Sequence, residues 1–531
     1  MNLNIFFIQL VAFWSAITLL RWRHTPKGWR VIAAILVGVL SIAYGWVPAA
    51  AGIISGSLWI ALVGLPMMGI VHVNRLMTQE RYGRAHRVAQ VVRWLHPADG
   101  FVEFPSVLRG LELAQDGKMD AAIARLSRHQ SNQSGTGRMA TALLYRSTAQ
   151  WDQCRDWISH QLPGKMALSD PSLIGYYLRS LGETGDLNGL IQGLDQFQRR
   201  SKSRDPRILN LCRLYAFAFC GQPAQVKRLL EGVLSLYPQP TREFWMATAT
   251  QAAGADAIAQ GQFLALRQRC DRSLQQAIDW RLAQPPVDPQ AILSPASAQI
   301  LAQIEADLAH EHRYDIRTVL ARRNAPITLI LIAINAIVFA IELWAGGSED
   351  SIVLYHLGGL VPEVVVAGEW WRLVSATFLH AGWLHLMLNM LGFYYLGTFV
   401  ETVLGSRKFL IAYFFCGIGS MALLTLIATF TGATDQLIVG ASGAILGLIG
   451  GVGAISLQGW RYDKAKVAGK QFRWVLLCLG LQSAFDLVTP QVSLLGHLSG
   501  AALGFLIGLM LFNPRHQPRF AKPRWIKSAQ K

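Results

Sequence analysis

Residues 440–458, GASGAILGLIGGVGAISLQ, open on Gly440-Ala441-Ser442-Gly443 and continue without a charge. They follow a short polar turn, Gly432 to Gln436, and His497 stands inside a later apolar run. A serine and a histidine at membrane depth are expensive to keep, because hydrocarbon offers neither a hydrogen-bonding partner. Glycines recur every four residues beside both: Gly443, Gly447 and Gly451 after the serine, and Gly496, Gly500, Gly504 and Gly508 around the histidine. Two such smooth stripes let helix backbones approach closely, which would bring His497 to Ser442. A hydroxyl near its free pKa is a poor nucleophile and needs a base within hydrogen-bond reach. The pair therefore points to a serine nucleophile and its base inside a lipid bilayer.

Composition bounds the setting. The chain has 531 residues, 52% hydrophobic and 15% charged, whereas a soluble protein carries about a quarter charged residues. Several stretches approach the length of about 20 residues needed to cross hydrocarbon. An integral membrane protein with a soluble portion is expected. The net charge of +17 does not mark a nucleic-acid binder. Basic residues gather beside apolar runs, at Arg21, Arg23, Lys27 and Arg30, at Arg322 and Arg323, at Arg407 and Lys408, from Arg461 to Arg473, and in the tail from Arg515. That is the signature of cytoplasmic loops, and the tail also suits anionic lipid heads. No aromatic-basic interleaving accompanies it. Six cysteines show no metal-ligand spacing and read as small core residues in a reducing compartment. No metal or cofactor is expected.

Four regions are expected. Residues 1–72 hold three apolar segments, near 5–20, 31–48 and 52–71; the first reads as an anchor, since it lacks a basic start and a cleavage site. Residues 73–323 contain no spanning run and show helical periodicity. Gly117, Ile123 and Leu126 recur as Gly185, Ile191 and Leu194, a displacement of 185 − 117 = 68, and Gly221 and Gly254 continue at steps of 36 and 33. A tetratricopeptide repeat has a period of roughly 34 residues, so this region resembles degenerate repeats of that kind, an α-solenoid able to bind a peptide or protein. An unrelated helical bundle is the alternative. Residues 324–513 hold six apolar runs, near 325–344, 376–399, 408–430, 440–458, 473–488 and 492–512, and 514–531 form a basic tail. The basic loops fall on one side at every crossing, which puts the soluble region and carboxyl terminus in the cytoplasm and Ser442 at the outer end of its helix. There the helix start supplies unpaired N–H groups and a positive dipole end.

A third cluster, His380-Ala-Gly-Trp-Leu-His385-Leu-Met-Leu-Asn389, is expected at the start of the second core helix. His385 and Asn389 are four apart and share a helical face, from which both can donate toward a developing negative charge. Just upstream, Trp370, Trp371 and Arg372 suit the membrane interface. His380 fits either support of the site or the interface itself. Asp486 reads as a solvated helix end, and Glu369 as a surface loop charge.

Trp371-Arg372, His385-x-x-x-Asn389, Gly440-x-Ser442-Gly443 and His497 in a glycine-rich last helix resemble the rhomboid intramembrane serine proteases over roughly residues 320–515. The resemblance implies an all-α polytopic fold: a six-helix rhomboid-like bundle, to which this chain adds three N-terminal transmembrane helices and the soluble α-solenoid. It implies a Ser442–His497 dyad without a third acid, and an oxyanion site of His385, Asn389 and the Ser442 N–H. Glu401 after Gly397 matches the family's GxxxE, and Gly500 and Gly504 its packing stripe. One position departs: Leu446 stands where many members stack an aromatic ring on the histidine, which would leave His497 held by apolar packing alone. The implied partners are transmembrane protein substrates and the lipid bilayer, with a bacterial inner membrane as the default location and an organelle of bacterial descent compatible. A non-proteolytic rhomboid-like client-binding protein, or an adaptor built on the repeats, is the alternative function.

Overall fold

A computed structural model describes residues 3–21, 25–131, 134–162, 168, 170–200, 206–285, 287–314, 316, 320, 325–432, 434–488 and 493–513. Arg23, Arg322, Arg323 and the tail from Arg515 lie outside the described residues. The fold is all-α, and the only β pairing among the described residues is an isolated bridge between Leu360 and Ile438. Among the described residues, nine long helices lie in the regions expected to be membrane-embedded: α1 (Leu3–Leu20), α2 (Lys27–Trp46), α3 (Ala51–Thr78), α4 (Pro326–Trp344), α5 (Trp383–Leu404), α6 (Ser406–Thr431), α7 (Ser442–Tyr462), α8 (Lys466–Val488) and α9 (Leu494–Leu511). By length and composition seven of them can cross a membrane; α5 and α8 are more polar. The protein is a polytopic membrane protein, built as two compact units, Asn2–Glu305 and Ala306–Lys531.

In the first unit, α1–α3 pack around Val11, Leu36 and Val63. Asn4 ties the helix ends, accepting from the Gly52 N–H at 2.6 Å and donating to the Pro48 carbonyl at 2.9 Å. α3 continues without a break past residue 72 and leads, through a turn at Glu80, into helix Tyr82–Leu95. Helical hairpins follow as far as Ala283. Their turns are alike. Glu80, Gly117, Ala149, Gly185, Gly221 and Gly254 all have φ between 54° and 84°, at successive steps of 37, 32, 36, 36 and 33 residues. At each, the next residue's N–H bonds back to the carbonyl five positions earlier, as Lys118 does to Leu113 and Asp186 to Leu181. This is the left-handed helix stop, which glycine adopts without strain. Cys154, Cys212 and Cys220 are buried in this unit and Cys416 in the other, as expected of core residues, whereas Cys270 is partly exposed and Cys478 exposed.

In the second unit α7 is the central helix. Of its apolar stretch 78% is buried within the protein, against 17–44% for the other spans. Its glycines explain this. A Cβ on Gly500 would run into the Gly443 carbonyl and one on Gly504 into the Gly447 carbonyl, while one on Gly508 would sit 3.1 Å from Gly451 Cα. The two stripes thus face each other with backbone on backbone. Without a hydrophobic drive between helices in lipid, such contact supplies the dispersion energy that holds them.

At the end away from Ser442, Glu401 stitches helices together. Its carboxylate accepts from the Ile327 N–H (3.0 Å), the Thr328 N–H and hydroxyl (2.8 Å each) and the Ser406 hydroxyl (2.7 Å). The first two are orphan donors of the α4 start, where a negative charge is favoured. Gly397 lies one turn earlier because Thr328 occupies the space a side chain would need.

Candidate active site

Ser442 is the first residue of α7, so its own N–H has no acceptor within the helix. The approach to it is fixed by backbone pairing. Leu360 and Ile438 exchange hydrogen bonds of 2.9 and 2.8 Å, and the Gly440 N–H donates to the Ala376 carbonyl at 2.9 Å. Gly440 has φ +130°, and a Cβ there would lie 2.9 Å from the His385 ring. The first glycine of the Gly-x-Ser-Gly turn is thus required twice, by backbone angle and by the imidazole packed on it. Ser442 Oγ lies on the same side, 3.7 Å from that Cβ position.

His385 and Asn389 project from one face of α5, as their spacing demands. Asn389 Nδ2 is buried and has no hydrogen-bond partner among the described residues. A desolvated, unpaired donor is able to stabilise a developing negative charge. His380 is not on this helix. α5 begins only at Trp383, because Gly382 at φ +91° breaks the chain there, and residues 372–375 form a separate short turn. His380 is fully buried, its ring centroid 5.2 Å from that of His385, and its N–H donates to Glu342 at 2.9 Å. It lies beside His385 and ahead of the start of α5. Glu342, buried on α4, was not singled out from the sequence. An ionisable side chain inside an apolar run is a signal that could have marked it.

Arg372 holds the preceding loop. It is buried, donates to the Tyr355 and Gly359 carbonyls at 2.7 and 2.8 Å, and pairs with Glu369 at 2.5 Å. Glu369, a loop carboxylate 43% exposed, is the ion-pair partner of Arg372. Trp371 is half exposed and covers Gly358, which has no room for a side chain beneath that ring.

His497 lies in the first turn of α9, three residues before Gly500. Gly443 stands over the Gly496 carbonyl, 3.8 Å from where its Cβ would be, so the helix starts bearing the serine and the histidine are in contact. Among the described residues no hydrogen bond joins Ser442 to His497; catalytic pairs often close only with substrate. Two expectations fail at the histidine. Leu446 is buried on α7 but does not leave His497 to apolar packing alone. Nor is Asp486 solvated: its side chain is 0% exposed and one oxygen lies 2.8 Å from His497 Nδ1. A carboxylate in an apolar helix is by default a functional candidate, and that signal was outweighed by its place at a helix end.

No group of three or more His, Cys, Asp or Glu side chains is placed to hold a metal ion among the described residues. Comparison with known proteins concerns this second unit. Residues 367–514 match the rhomboid domain. RHOMBOID-like protein 4 of Arabidopsis thaliana is 34% identical over 193 residues, which are 34% of this chain and 46% of that protein. The putative rhomboid protease YdcA of Bacillus subtilis (strain 168) is 27% identical over 197 residues, 35% of this chain and 89% of its own length. The rhomboid protease GluP of the same organism is 28% identical over 188 residues, 35% of either chain. The matches thus span from about a third to nearly all of these relatives and about a third of this chain. The stretch that matches the rhomboid domain, residues 367–514, includes the helix starts that bear Ser442 and His497.

Proposed function

We propose that the chain is an intramembrane serine endopeptidase that hydrolyses transmembrane or membrane-proximal segments of other membrane proteins. One observation carries this reading: the Gly443 backbone, next to Ser442, packs on α9 within one turn of His497. Ser442 Oγ attacks the scissile carbonyl while His497 takes its proton, then returns it to the leaving amine. An acyl-enzyme ester remains. Water, deprotonated by His497, attacks the ester and restores the serine. His385, the unpaired Asn389 donor and the Ser442 N–H stabilise the oxyanion of both tetrahedral states. Substrate segments that unwind readily, with small or helix-breaking residues, suit a site at a helix end. The rhomboid protease names borne by two of the relatives support the same chemistry.

The sidedness follows from charge. Arg407 and Lys408 open α6, at the opposite end of the bundle from Ser442, and Lys408 donates to the Leu511 carbonyl at the end of α9. With basic ends inside, Ser442 opens toward the outer aqueous phase of a bacterial inner membrane. For the soluble region we propose degenerate tetratricopeptide-type hairpins that recruit a protein or peptide, supported by the six like turns at 32 to 37 residues.

The test uses purified full chain with a model transmembrane substrate. Wild type should cleave, and Ser442→Ala and His497→Ala should not. Cleavage that persists in both variants sinks the proposal, and binding without cleavage by wild type favours the client-binding alternative.

A further inference from the structure

The resemblance led to a bare serine–histidine pair, and the structure places a third group on the histidine. Asp486 lies in the last turn of α8, eleven residues before His497. Its side chain is completely buried, and both oxygens are engaged. Gln482 Nε2 donates to Oδ1 at 2.8 Å, and Oδ2 sits 2.8 Å from His497 Nδ1. Burying a carboxylate is expensive unless it is paired and hydrogen-bonded, so an arrangement that satisfies each oxygen separately is a built one.

We infer that Asp486 is a positioning residue for His497, so that the chain works through a buried Asp486–His497–Ser442 arrangement. The inference rests on the protease reading above. Its chemistry is set by what each group can donate. An ionised carboxylate only accepts, so the hydrogen between the two must be on Nδ1. That leaves Nε2, across the ring, as the lone pair that takes the Ser442 proton. When the proton arrives the ring becomes imidazolium, held against a carboxylate that keeps its charge and does not itself take the proton. The proton then leaves from Nε2 to the departing amine, and Asp486 is unchanged over the cycle. The clamp also answers the absence of an aromatic ring at Leu446: orientation that a stacked ring would give from α7 comes here from α8, through a hydrogen bond at Nδ1.

Asp486→Asn separates this role from a merely structural one. The amide is nearly isosteric and can donate to Nδ1, which drives the proton to Nε2 and removes the lone pair Ser442 needs. On full chain in nanodiscs, Asp486→Asn should lower kcat about 10²–10⁴-fold, with KM for the model substrate changed less than about threefold, the mark of an interaction used in the transition state. Asp486→Glu should recover part of the loss, since it restores a carboxylate acceptor. In parallel, NMR of ¹⁵N-histidine-labelled protein, with the resonance assigned by His497→Gln, should show His497 protonated at Nδ1 in wild type and at Nε2 in Asp486→Asn. A wild-type kcat and unchanged tautomer in Asp486→Asn overturn the inference. So does a loss of kcat that follows loss of thermal stability and is not recovered by Glu. If wild type cleaves no better than Ser442→Ala, the protease reading fails on its own, and the tautomer still decides whether Asp486 sets the state of His497.

Discussion

Replacing Glu401 by glutamine should destabilise the membrane core while leaving its chemistry intact. Glu401 is buried and accepts four hydrogen bonds, and every partner is a donor: the Ile327 N–H, the Thr328 N–H and hydroxyl, and the Ser406 hydroxyl. A carboxylate offers acceptors on both oxygens; an amide turns one of them into a donor. Whichever way the amide sits, one backbone N–H and one hydroxyl face an NH₂ group; the hydroxyl can turn to accept, so one N–H is left unsatisfied. A buried donor left unsatisfied costs about 1–3 kcal/mol, so Glu401→Gln should lose about 1–3 kcal/mol. With about 2–4 °C of melting temperature per kcal/mol for a unit of this size, the shift is on the order of 2–12 °C downward. Thr328→Val removes only one of the four donors and should lose about 1 kcal/mol. Combining the two should cost less than their sum, because they share a partner. The assay is thermal unfolding of the purified protein in one detergent, with cleavage measured well below the melting range. There kcat should stay near wild type, since Glu401 caps the end of α4 away from Ser442. A Glu401→Gln protein melting within about 1 °C of wild type would refute this accounting, because less than half a kcal/mol would then be at stake.

Two further outcomes are expected. Asn389→Ala should lower kcat about 10²–10³-fold, the usual loss of one oxyanion donor, with little change in KM; a proportional rise in KM instead would assign Asn389 to substrate binding. Among the helical hairpins that follow α3, burial pushes the thiols of Cys154, Cys212 and Cys220 up to about 12 from an ordinary 9.0. Their thiolate fraction at pH 8 is therefore about a thousandfold lower than in the unfolded chain, so a thiol reagent should label them only after unfolding, while partly exposed Cys270 reacts in the native protein. The sign of the linkage follows: unfolded thiols ionise first, so stability falls as pH rises through about 9 toward 12. Native-state labelling of Cys154 at pH 8 would contradict the burial.

The readable part of the site was whatever repeats along one helix. His385 and Asn389 share a face because they are four apart, and the glycine stripes of α7 and α9 are legible for the same reason, whereas the pairing of Gly443 with Gly500 and Gly447 with Gly504 comes from the structure. The boundaries of α5 were less legible. The apolar run began near residue 376, but Gly382 at φ +91° starts the helix later, which moved His380 off it and into contact with Glu342. In the hairpin region two members of the turn series, Glu80 and Ala149, carry no glycine, so composition hid them while the backbone angle reveals them.

Sequence by itself determined that this chain crosses a membrane, which residues lie on its glycine stripes, and that a serine and a histidine stand beside them. Hydrocarbon enforces those choices locally, since each apolar span must satisfy its own backbone and each polar residue within it needs a reason. Tertiary structure alone decided what His497 touches. Asp486 reaches it from another helix, and a hydrogen bond of 2.8 Å depends on how α8 and α9 are rotated as well as on where they start. Helical spacing sets which residues share a face; only packing sets which faces meet.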